Sequence, residues 1–281
     1  MSYEFLGLNE FLLAALREDI GTGDVTTDSC VPENAVSSGY FIAKEPGVIC
    51  GFGVAARVFS LLDSYVILTP RVSDGEAIDI GDIVAEITGP SRSILTGERT
   101  ALNLVQHMSG VATRTAQAVK AVSGTKTRIV DTRKTLPGLR ILDKYAVKCG
   151  GGFNHRFNLS DGVLIKDNHI SAAGGITNAI YYVRNNSPFT LKIEVETETL
   201  EQVNEALEAG ADIIMLDNMS IATMAQAVSI ISGRAQTEAS GNMGDRDLAA
   251  VAQTGVDFIS IGALTHSVKA LDISLRFRES L

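Results

Sequence analysis

The chain has 281 residues, 45% of them hydrophobic and 20% charged, enough for a full core and too apolar for a disordered tail. Its 33 acidic residues against 24 basic ones give a net charge of −9, which excludes a general nucleic-acid or acidic-membrane binder and obliges any anionic ligand to find a local basic cluster. Cys30, Cys50 and Cys149 are an odd set with no C-x-x-C pair, so buried free thiols are expected rather than a disulfide framework or a thiolate zinc site.

In chain order, Glu4 and Glu10 precede any basic residue and no basic stretch leads into an apolar run, so no secretion signal is expected. Asn9 is placed to cap a helix reaching about Asp19, with Leu12, Leu13 and Leu16 on its apolar side and the turn at 21–24 stopping it. Up to about residue 95 the pattern shortens. Residues 38–43, 66–68 and 83–87 are strand-like, split by turn groups such as 73–75 and 89–90, and predict a small α+β domain. Residues 97–121 predict a long helix with Leu102, Leu104, Val105, Met108, Val111 and Ala112 as apolar faces and Ser109 and Gly110 as a place to bend. No apolar stretch reaches the roughly 18 residues of a membrane span, and a reducing cytoplasm is the expected home.

The second half alternates between strand and helix. Six β-branched runs each end in a polar burst: 127–130 before Asp131, Thr132, Arg133 and Lys134; 163–165 before Lys166, Asp167, Asn168 and His169; and 192–195 before Glu196. The others are 212–216 before Asp217 and Asn218, 235–239 before Ser240, Gly241 and Asn242, and 256–261 before Gly262 and Ala263. Helical spacing fills 200–209, 221–231 and 246–254. Continuous apolar strands joined by right-handed crossovers close most simply into an α/β barrel, with the polar bursts on its carboxyl rim. Six units are fewer than a complete barrel holds, and a doubly wound open sheet is the competing architecture.

Residues 131–170 hold seven Lys or Arg against four Asp, a basic island in an acidic chain that suits carboxylates and phosphates. Arg133 and Lys134 directly follow a strand, while His155 and Arg156 follow the flexible Gly150, Gly151 and Gly152 and can swing onto the same rim. Arg140, Lys144 and Lys148, spaced i, i+4 after Pro137, read equally as anion ligands or as one solvated helix face. Lys166 ends an apolar run where a lysine does not easily reach bulk water, so it pairs with an acid or meets a ligand anion; His169 is read as a structural, packed histidine. Glu196 and Asp217 end successive strands and could hold Mg2+ with phosphate and water completing its shell, with Glu194 as a substitute, or else neutralise Lys166. Ser240, Gly241 and Asn242, like Ile261, Gly262 and Ala263, precede expected helices and expose backbone N–H groups suited to a phosphate.

The runs DTRKTLPGLR (131–140), KYAV (144–147), GGGFNHR (150–156), LIKDNH (164–169), EVE (194–196), LDN (216–218), EASGN (238–242) and GALTH (262–266) closely resemble the quinolinate phosphoribosyltransferase family. EDIGTGDVTT (18–27) and GERTALN (97–103) belong to the same resemblance, which spans nearly the whole chain. Asn158, where relatives often have Gly, and Leu136, where many have Thr, are small departures. The resemblance implies an α/β type II phosphoribosyltransferase: an N-terminal α/β sandwich domain over 1–110, an incomplete (β/α) barrel over 111–265 and a tail over 266–281 returning to the first domain.

It also implies the reaction. A phosphoribosyl group would pass from 5-phosphoribosyl 1-diphosphate to quinolinate with decarboxylation, giving nicotinate mononucleotide, CO2 and diphosphate for NAD biosynthesis. By the same resemblance Arg99, Arg133, His155 and Arg156 would bind the quinolinate carboxylates beside Thr132, and Lys134 and Lys166 would face the junction of the two substrates. Glu196 and Asp217 would hold the ribose hydroxyls or diphosphate-bound Mg2+, and the loops at Ser240, Gly241 and Asn242 and at Ile261, Gly262 and Ala263 would hold the 5-phosphate. Lys134, Lys166, Glu196 and Asp217 form the implied catalytic set, and a homodimer would supply Arg99 across its interface. A Schiff-base lyase using Lys166 is the reading from another class. A molybdenum-locus paralogue of the family is disfavoured by the intact 166–169 run, and a non-catalytic binding barrel by the cost of an unliganded charged rim.

Overall fold

The computed structural model describes residues 7–278, so Glu4 and residues 279–281 of the expected tail lie outside it. The chain divides into two compact units, one built from residues 7–116, 137–151 and 267–278 and the other from 117–136 and 152–266. Among the described residues no helix is long and apolar enough to cross a membrane.

In the first unit, Leu8, Leu12 and Leu16 give helix α1 (Leu8–Ile20) one buried stripe. Gly7 caps α1, not Asn9, which lies in the first turn and accepts a hydrogen bond from Arg57 Nε at 2.7 Å. Helix α2 (Val25–Cys30) is capped by Asp24, whose side chain accepts from the Thr27 N–H. Strand β1 (Val36–Ala43) lies between β12 (Ile273–Phe277) and β5 (Ile83–Pro90), with β3 (Ile67–Pro70) beyond β5, all antiparallel. Strands β2 (Gly47–Val48) and β4 (Ala77–Ile78) pair separately. Gly39, Phe41 and Ala43 are the buried face of β1, and Phe41 meets Phe52 of α3 (Phe52–Leu62) edge to face, ring centroids 5.4 Å apart.

Helix α4 (Ser91–Ala121) starts at Ser91 rather than at Gly97. Gly97 is a close-packing position against Phe59 and Leu62 and no boundary: a Cβ there would stand 2.8 Å from Leu62 Cδ1. Helix α5 (Arg140–Cys149) completes the unit, and Lys144 is wholly buried on it, so the basic i, i+4 series is not one solvated face. Of the cysteines, Cys30 is exposed rather than buried, whereas Cys50 and Cys149 meet beside Asp74 with their ligand atoms within 4.8 Å of one another.

The second unit is a single parallel sheet. Its strands are β6 (Arg128–Val130), β7 (Val163–Ile165), β8 (Ile193–Thr197), β9 (Ile213–Asp217), β10 (Gln236–Ser240) and β11 (Phe258–Ser260), in the order β6-β11-β10-β9-β8-β7. The first strand lies beside the last, as barrel closure demands; a doubly wound sheet would instead grow outward from its middle. The ladder is open between β6 and β7, where Phe153 makes a single parallel bridge to Val130. The result is an incomplete barrel. Helices α6 (Asp167–Ala173), α7 (Ile176–Asn186), α8 (Leu200–Glu208), α9 (Ile221–Ile231) and α10 (Leu248–Gln253) occupy the crossovers, and α11 (Ala263–His266) follows β11.

Gly39 sets the spacing of β1 and β12, because a Cβ there would stand 2.6 Å from the Arg276 carbonyl oxygen. Gly39→Val, favourable for an isolated strand, is therefore expected to lose about 1–3 kcal/mol of stability by urea denaturation. An unchanged urea midpoint would show that the two strands tolerate separation.

Candidate active site

Side chains alternate along a strand, so the last inward positions of neighbouring parallel strands collect at one mouth. Leu164 and Lys166 on and after β7, Glu196 on β8, Met215 and Asp217 on β9, Glu238 and Ser240 on β10, and Ser260 on β11 all line one cavity of about 490 Å3. Thr132, Arg133 and Lys134 beyond β6, His155 and Arg156 beyond the Phe153 bridge, and Asn218, Gly241 and Asn242 complete its wall. Every residue expected at the site from β6 to β10 is thus in one hollow. Ile261, Gly262 and Ala263 are not among its lining residues, but Gly262 packs on Lys134, and Thr265 Oγ1 donates to the Lys134 carbonyl at 2.8 Å. Arg99 is exposed on α4 and belongs to the first unit.

The basic wall is held from behind by an acid. Asp131 is fully buried; its Oδ1 accepts the His155 N–H at 2.8 Å and its Oδ2 accepts from Asn154 Nδ2 at 2.6 Å. Arg156 Nη1 donates to the Gly162 carbonyl at 2.9 Å, which aims the guanidinium along the open seam of the barrel. Burial lowers the Arg156 pKa, and the like charge of Arg133 adds to the effect, so both groups gain when an anion arrives between them. His155 Nδ1 accepts the Arg156 N–H at 2.7 Å, leaving the ring hydrogen on Nε2, which faces Glu194 Oε2 at 3.0 Å and Glu238 Oε2 at 3.5 Å.

Lys166 is not desolvated. Its side chain is 46% exposed and stands 3.8 Å from Glu196 Oε2, because it emerges at the strand end instead of inside the apolar run. A half-exposed lysine in an ion pair is also unlike the desolvated amine that Schiff-base chemistry exploits. His169 is exposed rather than packed, and its Nδ1 accepts the Lys166 N–H at 3.0 Å, which makes it a helix cap for α6.

Glu196 and Asp217 offer two carboxylates to the same hollow, the oxygen donors that Mg2+ takes when phosphate and water complete its shell. Burial pushes the Glu196 carboxyl above the usual carboxylate range; Lys166 opposes this, and the charges of Asp217, Asp167 and Glu198 add to it. A cation would relieve that crowding, so the donor set fits the ion. Asp217 Oδ2 also accepts from Asn218 Nδ2 at 2.6 Å. Asn218 and Asn242 both lie in the left-handed region, and Gly241 (φ 94) has no room for a side chain, since its Cβ would fall 2.2 Å from Asn218 Oδ1. The elements after these loops are a three-residue 3-10 turn (Met243–Asp245) and the four-residue α11, too short to supply the helix dipoles expected from sequence; the exposed backbone N–H groups remain.

Glu238, Ser260, Leu164 and Met215 were not expected at the site, and Asn218, although placed in a polar burst on the rim, was given no role; these five also line the hollow. Four of the five carry a simple signal: Glu238, Met215 and Leu164 lie two residues before Ser240, Asp217 and Lys166 and so share their inward face, and Asn218 directly follows Asp217.

Family models for the quinolinate phosphoribosyl transferase C-terminal and N-terminal domains match residues 111–276 and 24–109. The chain is 46% identical over 268 residues to the probable nicotinate-nucleotide pyrophosphorylase [carboxylating] of Bacillus subtilis, covering 95% of this chain and 91% of that one. It is 46% identical over 279 residues to the nicotinate-nucleotide pyrophosphorylase [carboxylating] of Mycobacterium leprae, covering 97% and 98%. The solved structure of the nicotinate-nucleotide pyrophosphorylase from Francisella tularensis superposes with a TM-score of 0.92 at 41% identity, over 98% of each chain.

Glu238 has a measurable signature. Burial, with the Glu194 charge beside it, pushes its carboxyl from an ordinary 4.5 up to about 8, against His155 and Ser260. The folded protein therefore holds a proton that the unfolded chain has released between those two values, and stability falls as pH rises through that window. Glu238→Gln keeps the uncharged shape, so its melting temperature is expected to match wild type near pH 5 and to exceed it by roughly 5 °C near pH 9. Calorimetry across that range decides; a difference that does not grow with pH would mean that Glu238 is not held as the acid.

Proposed function

The chain belongs to the quinolinate phosphoribosyltransferase family, and from that premise we infer how its own side chains divide the work. The reaction joins quinolinate to 5-phosphoribosyl 1-diphosphate and yields nicotinate mononucleotide, CO2 and diphosphate, a pentosyl transfer in NAD biosynthesis. The observation that carries the assignment of roles is one hollow with cations on its β6 side and carboxylates on β8 and β9.

Arg133, His155 and Arg156, next to Thr132, receive the pyridine diacid. Two guanidinium groups already crowded together bind a dianion with the least loss of other partners. Lys134 and Lys166 stand between acceptor and sugar, where positive charge favours departure of diphosphate. Glu196 and Asp217 face the ribose, whose anomeric carbon becomes cationic as the bond to diphosphate lengthens. The same two residues are those that would hold Mg2+, which supplies charge neutralisation to the leaving diphosphate when bound. Backbone N–H groups around Ser240, Gly241 and Asn242 receive the 5-phosphate together with the loop at Ile261, Gly262 and Ala263, whose Gly262 packs on Lys134. After the ring nitrogen attacks, the C–C bond to the 2-carboxylate breaks, CO2 leaves, and the electron pair rests beside the cationic ring nitrogen until a proton replaces it.

Arg99 completes the acceptor end from a second subunit of a homodimer in this reading. Cytoplasmic placement belongs to it as well, since Cys30, Cys50 and Cys149 are all free thiols.

Two predictions test these roles. With quinolinate as acceptor and diphosphate and CO2 release as readout, Lys166→Ala or Arg133→Ala is expected to lose at least roughly 100-fold in turnover while melting like wild type. Near-normal kinetics would remove the residue from its role. Mixing inactive Arg99→Ala with inactive Lys166→Ala is expected to restore about one quarter of wild-type turnover, because half the dimers then carry one intact site. No recovery on mixing would place Arg99 in its own subunit's chemistry or outside it.

A further inference from the structure

Two acids lie under the acceptor end of the site, and the roles above leave them unused. Glu194 of β8 and Glu238 of β10 are each only 3% exposed, and both turn an Oε2 toward His155 Nε2, at 3.0 and 3.5 Å. Their Oε1 atoms are buried with no hydrogen-bond partner, so the polar contacts of the pair fall on the Oε2 side, which faces His155. Below the main hollow lies a second cavity of about 390 Å3, and His155, Arg156 and Glu238 line both. A side chain with open space on two sides is not positioned by packing, so hydrogen bonds must set its orientation.

Those bonds form a chain that ends on the ligand-facing groups. The Oε2 atoms of Glu194 and Glu238 hold Nε2–H, the opposite ring nitrogen accepts the Arg156 backbone N–H at 2.7 Å, and Asp131 holds the His155 backbone N–H at 2.8 Å. A carboxylate behind an imidazole selects its tautomer and fixes its plane. We propose that Glu194 and Glu238 are positioning residues for the acceptor: by clamping the His155 ring from beneath, they fix the Arg156 backbone and set where the carboxylates of the pyridine diacid are received. The inference rests on the reading that His155 and Arg156 receive that diacid. Ser240, Gly241, Asn242 and Asp217 lie outside the chain of bonds, so the sugar substrate is bound independently of it.

The test is the pattern of KM values for the two substrates in the whole enzyme. Glu194→Ala is expected to raise KM for quinolinate about tenfold or more and to leave KM for 5-phosphoribosyl 1-diphosphate within about twofold. Glu194→Gln, whose amide oxygen still accepts from Nε2, is expected to return the quinolinate KM to within about threefold of wild type. A normal quinolinate KM in Glu194→Ala, an equal rise for both substrates, or no rescue by glutamine would each overturn the proposal. If the alanine variant does not fold, 15N shifts of the ring decide in the wild type, where only four histidines need assignment: hydrogen on Nε2 supports the clamp and hydrogen on Nδ1 overturns it. His155→Ala separates the two levels. A normal quinolinate KM there removes the acceptor reading itself, whereas a damaged His155→Ala beside a normal Glu194→Ala removes only the clamp.

Discussion

The site depends on one geometric constraint: in parallel strands of equal direction, the final inward side chain of each must arrive at the same mouth. Lys166, Glu196, Asp217 and Ser240 lie scattered over the chain, yet each ends a strand and shares one hollow. No loop has to fold back to bring them together. The strand ladder does so, with Glu196 opposite Met215 and Ser240 opposite Asp217 in register. Change the register by one residue and every one of these groups would point into the helical layer instead.

That constraint also explains how an acidic chain builds an anion site. His155 and Lys166 on the rim each have a buried or half-buried acid beside them: Asp131, Glu194 and Glu238 hold His155 from beneath, and Glu196 stands beside Lys166. Both side chains are thereby oriented while still lining the hollow. Charge in the wall is arranged in depth, acids inside and cations at the mouth.

Much of this was legible in the sequence because barrel strands announce themselves twice, once as β-branched runs and again as the polar bursts that end them. All six strands of the second unit fall within two residues of the runs expected for them, and eleven expected ligand-facing residues meet in the hollow. The rest was hidden for definite reasons. Glu238 sits inside a β-branched run, where an acid suggests a break and not a function. Cys50 and Cys149 are 99 positions apart, so only the fold brings the thiols together. Lys144 follows a helical surface period but is wholly buried, which periodicity of charge alone does not betray. The element after Asn242 is a single 3-10 turn entered through left-handed backbone at Gly241 and Asn242, and α11 after Ile261 ends within four residues.

The unclosed seam between β6 and β7 gives the two ends of the hollow unequal stiffness. Strands β8, β9 and β10, which carry Glu196, Asp217 and Ser240, have ladder bonds on both flanks. The arm bearing His155 and Arg156 is instead a pendant strip, fastened by the Phe153 bridge, the Asp131 clamp and the Arg156 tie to Gly162. Displacing it breaks the two backbone bonds of that single bridge and a few side-chain bonds, where β8, β9 and β10 are held by continuous ladders. One wall of the cup is therefore tied to the barrel at a single backbone bridge, while the opposite wall is woven into continuous ladders.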